Sequence, residues 1–179
     1  HLVEPLSVPS NVSTNSFGAR DFVLENEKIA SAVINVLREN GEIQITDHDM
    51  KQAMALNPPC RFQEVTAFGN IPFVLDVAHN PEALTKFFDR FVNLYGLASM
   101  DNVQIIIGMS VDKDLEECMK VLKRYKPENI LLVKSNHPRA APVKSLASHL
   151  PGAIVMEPGQ NDSSIPQGIS LAIERSRNT

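Results

Sequence analysis

Three short loops and one arginine in this 179-residue sequence carry residue types and spacings suited to chemistry. The first loop is Asp76-Val77-Ala78-His79-Asn80-Pro81, with a carboxylate and an imidazole three positions apart. The second is Gly108-Met109-Ser110-Val111-Asp112-Lys113-Asp114, and the third is Ser135-Asn136-His137-Pro138-Arg139-Ala140. Arg61 follows directly on Pro58-Pro59-Cys60, where a hinge arginine can reach a neighbouring domain. Carboxylates accept hydrogen bonds from hydroxyls, and a forked guanidinium suits anionic oxygens. Each loop comes after an apolar run. All three are therefore expected on the carboxyl edge of a sheet, where open α/β folds bind ligands.

Each residue also has a structural reading. Asn80 and Pro81 are explained by helix initiation, as N-cap and first helical residue. Asp76 can brace its own turn through an Asx hydrogen bond. Lys113 and Asp114 read as a solvated charge cluster at a helix start, His137 before Pro138 as a surface loop residue. An arginine at a domain edge is usually a surface ion pair contributing little. Taken singly, none of these residues outweighs its structural reading.

The elements that must position the loops follow from periodicity. Residues 71–75 are a strand whose apolar run, 73–75, reads as covered on both faces. Leu84, Phe87, Phe88 and Phe91 then give the apolar stripe of a helix packed on a sheet. Residues 62–68 form another strand, joined to 72–75 through the hairpin signal Gly69-Asn70. Further strands are expected at 103–107, 130–133 and 153–156. Helices are expected around Leu115, Cys118, Met119 and Leu122, over 143–150, and around Ile165, Ile169, Ala172 and Ile173. This alternation predicts an α/β fold with a mostly parallel sheet and right-handed crossovers.

Upstream, residues 1 to about 20 read as a loop or linker. Ile29, Val33, Val36 and Leu37 mark a helix stopped by Asn40-Gly41. Thr46 and Asp49 resemble a capping box opening a second short helix through Met50, Ala53 and Met54. These two helices cannot bury their apolar faces on each other alone, which suggests the edge of a larger domain.

The bulk numbers narrow the function classes. A net charge of −4, without a Lys/Arg run, gives no nucleic-acid surface. No apolar stretch has membrane-spanning length, and the first residues lack the pattern of a signal peptide. The two cysteines, Cys60 and Cys118, read as reduced thiols of an intracellular protein. The sequence has no G-x-x-x-x-G-K-[ST], G-x-G-x-x-G, C-x-x-C or H-E-x-x-H motif, and its five histidines are scattered. A zinc site and a phosphate-cradling loop are therefore not expected within it.

Taken together, the motifs resemble a known family. Leu75-Asp76-Val77-Ala78-His79-Asn80-Pro81, preceded by Cys60-Arg61-Phe62-Gln63 and followed by Gly-Met-x-x-Asp-Lys-Asp, is similar to the C-terminal region of folylpolyglutamate synthase and dihydrofolate synthase. These enzymes belong to the Mur-ligase superfamily. Upstream, Glu25-Asn26-x-x-x-Ala30-x-Ala32 resembles the helix that ends that family's central ATPase domain, and His137-Pro138-Arg139-Ala140 extends the similarity downstream. The resemblance covers roughly residues 22 to 150. It implies a Rossmann-like Mur ligase C-terminal domain over 60–179, with a loop and the helical end of the central ATP-binding domain over 1–59. Two departures stand out: Cys60 occupies a position where the family usually has glycine, and the P-loop, magnesium ligands and closing Gly-Ser strand are missing. The chain thus reads as a fragment of the ligase, inactive alone.

The resemblance further implies an ATP-dependent ligase that adds L-glutamate to a pteroate or folate through an acyl phosphate. Such chemistry must screen phosphate charge, align the attacking amine and exclude water. Its partners would be ATP, magnesium held by residues outside this chain, L-glutamate and the pteroate or folate. By the resemblance, Arg61 would reach the nucleotide phosphates and Asp76 the ribose hydroxyls. Asn26 would contact the nucleotide from the central-domain side. His79 would line the cleft beside nucleotide and glutamate, with Ser110 a weaker candidate on the glutamate side. No residue is assigned a catalytic role and none a metal. The intact protein would be a cytoplasmic monomer, or mitochondrial in a eukaryote. Two other readings stay open. One is a Mur-type peptidoglycan ligase, which commonly carries Asp-Tyr-Ala-His where this sequence has Val77. The other is a non-catalytic nucleotide-binding module.

Overall fold

The computed structural model describes residues 20–56, 58–95, 100–159 and 162–177. The chain divides into two compact units between Lys51 and Gln52.

In the first unit, α1 (Arg20–Glu39) ends as its sequence dictates. Gly41 takes φ +73°, and the amides of Glu42 and Gly41 donate to the carbonyls of Leu37 and Arg38. This paired closure satisfies two carbonyls left over at the helix end. Thr46 opens α2 (Asp47–Met54) with a complete capping box: Asp49 N–H donates to Thr46 Oγ1, and Thr46 N–H to Asp49 Oδ2, both at 3.1 Å. Arg38 pairs with Asp47 at 2.6 Å across the turn. Ile29, Val33 and Val36 remain more than half exposed on one face of α1, as expected of helices that cannot cover one another.

In the second unit, β1 (Gln63–Ala67) and β2 (Ile71–Leu75) form an antiparallel hairpin with Ala67 opposite Ile71. Its connecting residues Phe68, Gly69 and Asn70 all have positive φ. The hairpin is a two-stranded sheet of its own. This corrects the expectation of a strand covered on both faces. Phe73 and Val74 are half-buried and Leu75 is 39% exposed, because β2 has a strand neighbour on one side only.

The other sheet is parallel, in the order β3 (Ile105–Ile107), β4 (Ile130–Leu132), β5 (Ile154–Val155). Helix α3 (Pro81–Tyr95) precedes β3. Helices α4 (Leu115–Leu122) and α5 (Val143–His149) make the crossovers, and α6 (Ile165–Arg177) closes the chain. The strands are shorter than the apolar runs that mark them, but their ladders continue. Val133 N–H donates to Ile107 O and Met156 N–H to Leu132 O.

Alternation along the strands divides the core. Ile105, Ile130 and Leu132 join Leu84 and Phe88 of α3, Cys118, Met119 and Leu122 of α4, and Leu146 of α5 in one cluster. Leu131 and Val133 are equally buried but lie outside that cluster, as the period of two requires. Helix α6 packs on the sheet through β3 and β4, with Gly168 and Ala172 buried. The result is a parallel three-stranded sheet flanked by helices, as the alternation predicts. Burying a Leu or Phe side chain contributes about 1.5–3 kcal/mol, so this cluster holds the loop-bearing strands in place.

Candidate functional site

Asp76 is the residue around which the first loop is built. Its Oδ1 accepts the N–H of Ala78 at 2.7 Å, closing the Asx turn that its sequence position suggests. Its Oδ2 accepts the N–H of Phe62, also at 2.7 Å, fourteen residues upstream. One exposed carboxylate therefore joins the end of β2 to the residue that follows Arg61. The structural reading of Asp76 is realised, with a reach across the chain that spacing alone does not reveal.

The segment around Arg61 is strained. Cys60 has φ +58° and Phe62 φ +46°, a backbone region that costs a side-chain-bearing residue about 1–2 kcal/mol. Cys60 thus stands in a conformation suited to glycine. Compensation comes from the bond to Asp76, from Gln63 Oε1 accepting the Cys60 N–H at 2.9 Å, and from burial of Phe62 to 8% exposure. Arg61 itself is exposed, and its side chain pairs with no described residue.

His79 is exposed, with Nδ1 3.0 Å from the carbonyl of Val77. Its own carbonyl faces the thiol of Cys118 on α4 at 3.9 Å. Cys118 is fully buried, and burial, with the charge of Asp114 behind it, pushes the thiol's pKa up, as expected of a packed thiol. Asn80 caps α3 by accepting the Ala83 N–H at 2.7 Å, and Ala78 packs against the core cluster.

The second and third loops follow β3 and β4 on the carboxyl edge of the parallel sheet, and they bind one another. Ser110 and Ala140 form an antiparallel bridge, Val111 N–H donates to Arg139 O, and Ala141 N–H donates to Met109 O. The Ser110 hydroxyl is directed to Asp112 Oδ1 and to Arg139 O. Bonded first by Ser110 and then by its own backbone N–H, Asp112 has its pKa held down to about 2. Asp114 caps α4 by accepting the Glu117 N–H. All three loops were expected on one sheet edge. Only two leave the parallel sheet, because β2 belongs to the hairpin, and the first loop meets them through the start of α4. Asn26 lies exposed on α1, in the other unit.

Arg90 on α3 was not singled out by its sequence. Its guanidinium carbon sits 3.8 Å from the centre of the Phe62 ring, and its Nε is buried without a hydrogen-bond partner. The signal available was weak: a basic residue beside the Phe87, Phe88 and Phe91 stripe.

The model for the Mur ligase glutamate ligase domain matches residues 60–178. The chain belongs to this family. Its Asp76 turn, the linker formed by residues 60–62 and its parallel sheet all lie within the matched residues. No curated protein matches the chain. Among solved structures, a bifunctional folylpolyglutamate synthase/dihydrofolate synthase with Mn, AMPPNP and L-glutamate bound is 27% identical, with a TM-score of 0.55. The match covers 74% of this chain and 30% of that one. The Yersinia pestis bifunctional enzyme complexed with AMPPNP and Mn is 26% identical, at TM-score 0.53 and the same coverage. Escherichia coli FolC in complex with ADP, at 24% identity and TM-score 0.52, shares the fold over 79% of this chain and 31% of its own. The chain thus spans about 30% of the length of these glutamate ligases.

Among the described residues, no group of three or more His, Cys, Asp or Glu side chains could hold an ion. Nor is any described helix long and apolar enough to cross a membrane.

Proposed function

We propose that this chain is the C-terminal portion of an ATP-dependent folate:L-glutamate ligase, a dihydrofolate synthase, a folylpolyglutamate synthase or both. The observation that carries the reading is the Asp76 carboxylate, which anchors Phe62 and so fixes an exposed, unpaired Arg61 beside the first loop. In this proposal residues 1–59 are a loop and the helical end of the central ATP-binding domain, and residues 60–179 are the C-terminal ligase domain. Arg61 presents its fork to the phosphate oxygens. The remaining acceptor positions of Asp76 take ribose hydroxyls. Asn26 contacts the nucleotide, His79 lines the cleft beside nucleotide and glutamate, and Ser110 serves the glutamate side. Magnesium would screen the phosphates from ligands outside this chain, since no residue set among the described residues fits it. What the domain contributes is positioning and exclusion of water, so that the glutamate amine rather than water meets the activated carboxyl.

The test uses the intact protein with ATP, magnesium, L-glutamate and either dihydropteroate or tetrahydrofolate. We expect glutamate-dependent ADP release and a product heavier by one glutamate residue. Arg61→Ala should lower kcat by roughly 30- to 1000-fold, the loss of one charge-assisted contact made to the phosphates in the closed state, with little change in pteroate KM. The isolated 179-residue chain should release no ADP. No glutamylated product from either pterin substrate would sink the proposal.

A further inference from the structure

We infer that Arg90 is a positioning residue for Arg61, acting through Phe62. The inference rests on the role proposed above for Arg61. It begins from a mismatch in the linker: residues on both sides of Arg61 hold left-handed backbone conformations, yet neither is glycine. A segment in that state relaxes unless its surroundings hold it.

Gln63 holds the Cys60 side through its bond to that residue's amide, and three contacts hold Phe62. The Asp76 carboxylate takes the Phe62 amide. Phe87 of α3 packs against the Phe62 ring, with centroids 5.5 Å apart. Arg90, from the next turn of the same helix, stands over that ring at 3.8 Å. The first contact fixes the backbone and the other two fix the ring, so the chain direction at Arg61 is set from both. A guanidinium over an aromatic face is attracted by the ring's electron density, and more so when partly desolvated.

Arg90 has features of a fixed rather than a roaming side chain. The residue is half-buried, and its Nε is buried without a hydrogen-bond partner. Burial lowers its pKa, while the negative charges of Glu64 and Asp76 oppose that shift. Glu64 is in turn held by the Tyr95 hydroxyl at 2.5 Å. Arg90 therefore stands over the ring of the residue that Asp76 anchors, and the charges of Glu64 and Asp76 act on it. Arg61, one residue away, is exposed and has no partner among the described residues. Its backbone direction would then be set before any nucleotide arrives, which lowers part of the ordering cost of binding.

The experiment combines amide exchange with kinetics for Arg90→Met, Phe62→Leu and the double variant. Methionine keeps the length and apolar stem of arginine but removes its charge and planar fork. In the 179-residue chain, we expect Arg90→Met to speed exchange of the Phe62 amide at least tenfold. The amides of β4 should keep their protection. Added to Phe62→Leu, Arg90→Met should bring no further change, because the stacking partner has gone. In the intact ligase, Arg90→Met should lower kcat about tenfold without raising pteroate KM. Unchanged Phe62 exchange would overturn the inference, as would equal loss of protection in β4, which would make Arg90 a general stability residue. Faster Phe62 exchange with normal kcat would also overturn it, provided Arg61→Ala is impaired. If Arg61→Ala itself retained full kcat, the reading of Arg61 would fail first, and the positioning role with it.

Discussion

Asp76 shows how one side chain can serve structure and binding together. Its two oxygens accept two backbone N–H groups, one local and one fourteen residues away. Asparagine offers a single acceptor oxygen, and its NH2 group would face the other amide. Asp76→Asn should therefore lower the stability of the chain by about 1–2 kcal/mol. The loss should show as a lower urea midpoint and faster exchange at Phe62, with the fold retained. In the intact ligase the same change should raise the KM for ATP. A variant with unaltered urea midpoint and unaltered ATP KM would leave Asp76 with neither role.

The carboxyl edge of the parallel sheet depends on Gly108, the residue between β3 and Ser110. A Cβ there would stand 2.8 Å from the Val133 carbonyl oxygen, a backbone atom fixed by the sheet. Because Val133 N–H also donates to Ile107 O, the two strand ends cannot part without losing that bond. Gly108→Ala should cost about 1–3 kcal/mol through overpacking, which outweighs the few tenths to 1 kcal/mol gained from a less flexible unfolded chain. The strain should also reach the Ser110–Ala140 bridge. Loss of the contacts between residues 109–111 and 139–141 by NMR, together with a lower urea midpoint, is the expected signature. An Ala variant with wild-type stability and an intact bridge would show that the edge yields.

Across the whole molecule, the shifted groups set a broad pH plateau. Asp49, Glu82 and Asp112 all have folded pKa values below the ordinary carboxylate range. The causes are bonds from Thr46, from Lys86 and from Ser110 in turn. Depressed acids stabilise the fold above their unfolded values, near 4, and lose that contribution as pH falls through the folded ones. Asp112 should be the last to protonate, at about 2. On the basic side, burial and then Glu64 push Tyr95 up to about 12. That contribution is present below the unfolded value, near 10, and is lost as pH rises through 12. Cys118 is also raised and begins to lose its contribution above its unfolded value, about 8.5, so urea midpoints measured at each pH unit should stay level between about 5 and 8 and fall on both sides. A marked drop inside that window would show that other groups govern the pH dependence.

Local order in this protein was written in its sequence. Asn40-Gly41, the Thr46–Asp49 box, Asn80-Pro81 and the Phe87–Phe91 stripe each act within one turn of chain, so neighbouring residues suffice to specify them. The alternation of apolar runs likewise determined the parallel sheet, since such strands need crossovers and burial on both faces. The motif around Asp76 and His79 carried the family. What tertiary structure alone decided is everything set by partners distant along the chain. Gly69-Asn70 announced the pairing of 71–75 with 63–67, but the apolar composition of 73–75 is that of an internal strand, and the hairpin stays half-exposed apart from the parallel sheet. Composition cannot distinguish the two, because burial depends on which surface the strand meets. The Asp76–Phe62 bond, the Ser110–Ala140 bridge and the Arg90–Phe62 stack span fourteen to thirty residues. No periodic pattern encodes such contacts, since they arise only once the core has brought their elements together.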